Sequence, residues 1–231
     1  MIAIIGGTSV LDTGLFRSWP QKRVETPYGP VALKEQGKVV FLQRHGEPAV
    51  PPHRINHRAN IWALKRLGTE RIIAINSVGS LKISIRPGAF LIPDDFISIW
   101  QIATFFDDTM RFMIPKMDQG LAQELGRNCT KLNIAVRLGG TYVQTMGPRL
   151  ETRAEIRMLE RFGDVVGMTM ASEATLSMEQ EIPYVSLCSV DNYCNGIVEV
   201  PLTLADIQRN VALNVKRLEI LTDMVLAEGC R

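Results

Sequence analysis

The chain has 231 residues, a formal net charge of +2 and a hydrophobic fraction of 46%. That length is enough to bury a full core, and scattered basic residues with so little net charge give no electrostatic pull toward nucleic acid or a membrane surface. Met1 runs directly into Ile2-Ala3-Ile4-Ile5 without a basic leader, and no apolar run reaches membrane-spanning length. The expectation is a cytoplasmic protein with one domain over residues 1–231.

In chain order, β-branched apolar runs predict buried strands at Ile2–Ile5, Val39–Leu42 and Ile72–Ile75, with further strands at Ala89–Ile92 and Tyr184–Val190. Helices fall between them. Ile55, Ala59, Trp62 and Arg66 keep helical spacing, and Gly68 stands where that helix should stop. The stretch Trp100–Gln119 has no regular period, and its Phe105, Phe106, Phe112, Met113 and Ile114 suit a surface covered by a neighbouring subunit. Thr152–Phe162 reads as another helix, ended by Gly163. The last helix opens near Thr203, with Asp206 three residues on as a capping partner, and runs to Gly229. Strands alternating with helices, broken only by loop-sized Pro/Gly clusters, predict an α/β fold: a single domain with a central mixed β-sheet flanked by helices.

Polar side chains collect where those strands end. In Ile4-Ile5-Gly6-Gly7-Thr8-Ser9 the glycines let backbone amides approach an oxyanion and Thr8 adds a hydroxyl, although a plain tight turn explains the pair equally well. Arg44-His45-Gly46 follows a second strand, and Asn76-Ser77-Val78-Gly79-Ser80 ends a third. Ligands of open α/β sheets gather outside the carboxyl ends of strands, so Thr8, Arg44 and His45 could surround one phosphate. A surface ion pair for Arg44 and a hydrogen-bonded core position for His45 are the plainer alternatives.

Other chemistries find little support. Cys129, Cys188, Cys194 and Cys230 lack CxxC spacing and read as free thiols, and His53 with His57 lacks the glutamate and third ligand of a zinc site. No metal is expected. Asp94-Asp95 and Asp107-Asp108 are adjacent carboxylates that point apart, which suits solvated or structural roles better than glycoside hydrolysis. There is no G-x-S-x-G elbow.

Together with Thr26-Pro27-Tyr28-Gly29, Pro52-His53-Arg54-Ile55-Asn56, Gly147-Pro148-Arg149-Leu150-Glu151-Thr152, Gly167-Met168-Thr169 and Ser189–Gly196, these motifs resemble the trimeric purine nucleoside phosphorylase and methylthioadenosine phosphorylase family, in order and over nearly the whole chain. The resemblance implies a homotrimer that needs no cofactor and uses inorganic phosphate as co-substrate to split a purine nucleoside into free base and ribose 1-phosphate. It implies phosphate-binding roles for Thr8, Arg44, His45, Ser77 and Thr169, packing of Met168 on the ribose, and catalytic roles for Asn192 and His45.

By the same resemblance Leu150, Glu151, Asn192 and Cys194 line the base pocket. Glu151 stands where the 6-oxopurine enzymes carry glutamate and the methylthioadenosine enzymes serine, and Asn192 where the two branches carry asparagine and aspartate. An amide meets both O6 and a protonated N7, and a carboxylate accepts the N1 hydrogen of hypoxanthine or guanine but repels the N1 lone pair of adenine. Leu204 replaces the histidine expected for a 5′-hydroxyl, and with Ile207 one turn on it suits a methylthio group, though the same spacing fits a core-facing stripe. The expected activity is therefore phosphorolysis of 6-oxopurine nucleosides, 5′-methylthioinosine first, with inosine or guanosine as further substrates. Methylthioadenosine phosphorolysis and a non-catalytic nucleoside-binding role are the alternatives. Ser9, Met146, the Ile83-Ser84-Ile85 region, Ser98 and Trp100 depart from the family pattern.

Overall fold

The computed structural model describes residues 1–7, 10, 14–100, 103–200 and 203–229, and of residues 204, 206, 213, 228 and 229 the backbone alone. Its strands are β1 (Ile2–Gly6), β2 (Gln21–Val24), β3 (Val31–Gln36), β4 (Val39–Gln43), β5 (Arg71–Ser80), β6 (Phe90–Ile92), β7 (Asp95–Ile97), β8 (Val136–Leu138), β9 (Thr141–Gln144), β10 (Val165–Gly167) and β11 (Tyr184–Tyr193). They form one mixed sheet of 11 strands in the order β2-β3-β4-β1-β5-β10-β9-β7, with β11, β6 and β8 continuing from the other side of β5. The helices are α1 (His57–Arg66), α2 (Gln119–Lys131), α3 (Arg153–Leu159), α4 (Met170–Glu179) and α5 (Leu204–Gly229). None of the described helices is long and apolar enough to cross a membrane.

Alternation along the central strands explains the layering. Ala3, Ile5, Val40, Leu42, Ile72 and Ala74 share one buried cluster with Ala59 and Ala63 of α1 and Met170 and Ala174 of α4. Ile2, Ile4, Val39, Phe41, Ile73 and Ile75 share the other with Leu121 and Leu125 of α2 and Leu218 and Leu221 of α5. Both faces of the parallel centre are covered, so these strands are continuous apolar runs rather than polar-apolar alternations.

The helix predicted over Thr152–Phe162 starts as expected but ends at Leu159, and the Asp206 side chain expected to cap the last helix lies outside the description. Asn56 caps α1 by accepting from Ala59 N at 3.0 Å, and Thr152 caps α3 in a reciprocal box with Glu155. Gly68 follows α1 with φ +76°. One expectation needs correcting: Asn76–Ser80 lies inside β5, not beyond its end. The strand continues because β11 runs parallel beside it, pairing Ser189 with Ser77 and Asn192 with Gly79, while β10 pairs with Gly79 and Ser80. Between Val190 and Asn192 the β11 register slips by one residue, so Asp191 sits on a bulge. Bulges turn side chains away from the regular alternation.

Candidate active site

A cleft of about 270 Å³ opens where β1, β4, β5, β10 and β11 come together. Its lining includes Arg44, His45, Ser77, Leu150, Glu151, Met168, Thr169, Asn192, Cys194 and Ile207. Sequence positions from 44 to 207 thus converge on one space. Thr8 lies outside the described residues, though its neighbour Gly7 lines the cleft. Leu204 is in α5 by its backbone, but its side chain is outside the description. Met113, a residue expected to face a neighbouring subunit, lines a separate recess of its own chain with Met178 and Tyr184.

At one end the polar groups are arranged around Arg44, which is a buried residue rather than a surface one. Its Nε and Nη2 donate to Glu173 at 2.5 and 3.3 Å, Nη1 to Ile75 O at 2.8 Å and Nη2 to Ile5 O at 3.4 Å. Glu173 also accepts from the Tyr184 hydroxyl at 2.9 Å. Burial opposes the Arg44 charge, yet Glu173 outweighs it and the pKa is raised. Nη1 faces the Gly7 backbone closely: a Cβ added at Gly7 would lie 2.2 Å from it. A glycine is required there.

The other groups at this end divide into donors and acceptors. Thr169 Oγ1 accepts from Asn76 Nδ2 at 2.9 Å, so its own hydrogen is free for the cleft. The amides of Thr169 and Met170 donate to the Tyr142 hydroxyl at 3.2 and 3.3 Å, and that of Ser172 to Gln144 Oε1 at 3.1 Å. Three of the first amides around α4 are therefore spent on β9. His45 Nδ1 lies 2.8 Å from Val50 O, and since a carbonyl only accepts, Nδ1 carries the hydrogen. Burial lowers the His45 pKa, with the nearby Arg44 charge adding to it, against the Val50 bond, which raises it. The ring is neutral near pH 7 and shows the cleft an Nε2 lone pair. Ser77 gives its hydroxyl hydrogen to Asp191, a fully buried carboxylate that also accepts from Ser189 Oγ at 2.7 Å.

Glu151 and Asn192, in the same lining, are both 9% exposed. Thr145 Oγ1 donates to Glu151 Oε1 at 2.6 Å, which holds one carboxylate oxygen and leaves Oε2 for a ligand. Asn192 Nδ2 donates to Tyr193 O at 2.9 Å, leaving a second N–H and the amide oxygen. Gly79 makes room for this edge, since a Cβ there would lie 2.6 Å from Cys194 Sγ and 3.1 Å from Asn192 Nδ2. Burial, and after it the Glu151 charge, pushes the Cys194 thiol well up, so it stays protonated. Met146 is 53% exposed and lines a neighbouring recess with Trp100, which touches the cleft only through Glu151.

Five residues of this arrangement escaped sequence reasoning: Glu173, Asp191, Thr145, Tyr142 and Gln144. Asp191 stands beside Asn192 and Thr145 six residues before Glu151, so proximity to motif residues was the available signal for those two.

Comparison with known proteins follows from this geometry. A model of the phosphorylase superfamily matches residues 1–227. A probable 6-oxopurine nucleoside phosphorylase of Dictyoglomus turgidum is 43% identical, with 97% of this chain and 90% of that protein covered. A probable S-methyl-5′-thioinosine phosphorylase of Methanocaldococcus jannaschii is 41% identical, with 97% and 92% covered. Among solved structures, methylthioadenosine phosphorylase from Schistosoma mansoni in complex with adenine superposes with a TM-score of 0.86 at 27% identity, over 100% of this chain and 92% of that one. With the match running nearly end to end, the chain belongs to the phosphorylase superfamily.

Proposed function

We propose that the protein catalyses phosphorolysis of 6-oxopurine nucleosides, 5′-methylthioinosine before inosine and guanosine, releasing hypoxanthine and 5-methylthioribose 1-phosphate. The observation that carries this reading is that the pair Glu151 and Asn192 lines one cleft together with Arg44, His45, Ser77 and Thr169. Glu151 accepts the N1 hydrogen through Oε2. Asn192 gives an N–H to O6 and takes the N7 hydrogen on its amide oxygen.

Hydrogen phosphate attacks C1′ while the C1′–N9 bond breaks and its electron pair goes to the purine, and the proton that the phosphate gives up on becoming the ester ends on N7 of the base. The sugar turns cationic and the base anionic along the way, and fixed dipoles aimed at those charges lower the barrier. Holding phosphate and nucleoside in one cleft supplies the remaining advantage, that of proximity. Met168, in the same lining, packs on the ribose. Ile207 at the cleft wall supports a methylthio substituent over a hydroxyl. Phosphate is a substrate here and no cofactor is needed.

Met110, Phe112 and Ile114 are 90 to 93% exposed, which supports the homotrimer as the working form, with this segment covered by a neighbour. The same reading places the reaction in the cytoplasm. Initial rates with methylthioinosine, inosine and methylthioadenosine at equal concentration, with and without phosphate, test it. Methylthioinosine should turn over fastest and only with phosphate; faster methylthioadenosine cleavage would overturn the base assignment.

A further inference from the structure

Asp191 has no part in the reaction as described, yet it is buried, and the ion pairs of the described residues do not include it. Its carboxylate lies on the β11 bulge and takes hydrogens from two serines, Ser189 on its own strand and Ser77 on β5. Ser189 Oγ in turn accepts from Asn214 Nδ2 at 2.8 Å, and Asn210 Nδ2 donates to Asp191 O at 2.8 Å. The hydrogens therefore run in a fixed sense, from Asn214 to Ser189 to Asp191, and from Ser77 to Asp191. Burial pushes the Asp191 carboxyl up to about 6, against the pull of both serines, so it is mostly ionised near neutral pH and keeps accepting.

Ser77 has a single hydrogen, and it points away from the cleft. What Ser77 shows a ligand is a lone pair. His45 arrives at the same result independently, because its ring hydrogen is held by Val50 O. Among the described residues this part of the cleft thus carries two acceptors beside the donors Thr169 and Arg44. An acceptor facing a bare anionic oxygen is repelled, whereas one facing an O–H is satisfied, and a site built around such a hydrogen rejects analogues that lack it.

We propose that Asp191, by holding the Ser77 hydrogen, makes this cleft selective for a tetrahedral anion that carries its own O–H, so that phosphate is bound and sulfate is excluded. Asp191 is a positioning residue that acts through Ser77. The proposal rests on the reading that the cleft takes phosphate. Near neutral pH phosphate keeps at least one proton and sulfate keeps none, while size, shape and charge are closely matched, so the two anions isolate the hydrogen as the variable.

The test is calorimetric titration of the intact protein with phosphate and with sulfate in chloride buffer, alongside rates with sulfate as competitor. Wild type should bind sulfate at least ~100-fold more weakly than phosphate. In Asp191→Asn the side-chain amide can donate to Ser77, whose hydrogen then turns to the cleft, and the ratio should narrow by ~10-fold or more. Ser77→Ala, which removes the acceptor and keeps the buried carboxylate, should also narrow it and carries the test should Asp191→Asn fail to fold. Equal affinities in wild type overturn the proposal and leave the phosphate site standing. A full ratio retained in both variants overturns the role of Asp191. Binding of neither anion overturns the phosphate reading and this proposal together.

Discussion

Arg44 and Glu173 form an ion pair from which water is excluded: Nε lies 2.5 Å from Oε1, and both side chains are 2% exposed. The pair joins the loop after β4 to α4, elements 129 residues apart in the chain. Because the guanidinium also donates to Ile5 O and Ile75 O, it ties β1 and β5 into the same point. Much of the Arg44 charge is answered within the protein, so a phosphate at this end depends on neighbouring dipoles as well as on the cation.

Removing one partner should therefore cost fold stability before it costs catalysis. Glu173→Gln leaves a buried guanidinium without its counter-charge, for which ~3–5 kcal/mol is the usual loss. Urea unfolding of the variant and of the double substitution Arg44→Met/Glu173→Leu checks this. The double variant should recover part of the loss, and a single variant as stable as wild type would show the pair to be dispensable.

Thr145 governs how Glu151 is presented. Thr145→Val takes away the hydrogen bond at 2.6 Å and frees the carboxylate to rotate. A lost hydrogen bond to a buried charged group predicts a fall of ~10–100-fold in kcat/KM for oxopurine nucleosides. Thr145→Ser should restore most of it. Equal loss in both variants would point to packing of the methyl group instead.

Asn192→Asp replaces the donor that meets O6 by an acceptor. Turnover of methylthioinosine should drop by ~10²–10³, the range found for single donors aimed at developing charge. Comparison with methylthioadenosine in the same variant completes the test, since unchanged selectivity between the two bases would refute the hydrogen-bond model.

Acid sensitivity should come in part from His57, at the start of α1. It is buried, its Nδ1 has no hydrogen-bond partner among the described residues, and burial lowers its pKa to about 4 from an ordinary 6.5. The unfolded chain takes up a proton here before the folded one does, so stability is full above about 6.5 and is lost as pH falls toward about 4. His57→Gln should flatten that part of the pH–stability curve. Thermal melts at several pH values decide it, and parallel curves for the two proteins would assign the acid loss to other groups.

What could be read from the sequence was what local pattern determines. β1 and β4 are legible because all their residues are buried, and α3 because Thr152 and Glu155 make a short-range box. β2, with the sequence Gln-Lys-Arg-Val and mostly exposed, has no apolar period at all; it is a strand because β3 pairs with it. β8 and β10 are three residues each, too short to show alternation. In the cleft, Glu151 and Asn192 carry signatures in their own segments. Glu173 does not, since its meaning depends on Arg44, and the function of Asp191 depends on Ser77, 114 residues away.

The single extra residue in β11 lets two successive positions do different work: Asp191 holds the Ser77 hydroxyl, and Asn192 lines the cleft itself. Substitutions along Ser189–Asn192 are thus separable experiments, but deletion of Asp191 is not, because it removes the bulge and the Ser77 acceptor together while leaving Asn192 opposite Gly79. Length in this stretch is therefore a constraint apart from identity: only the longer strand has room for a carboxylate and an amide in succession beside the same partner.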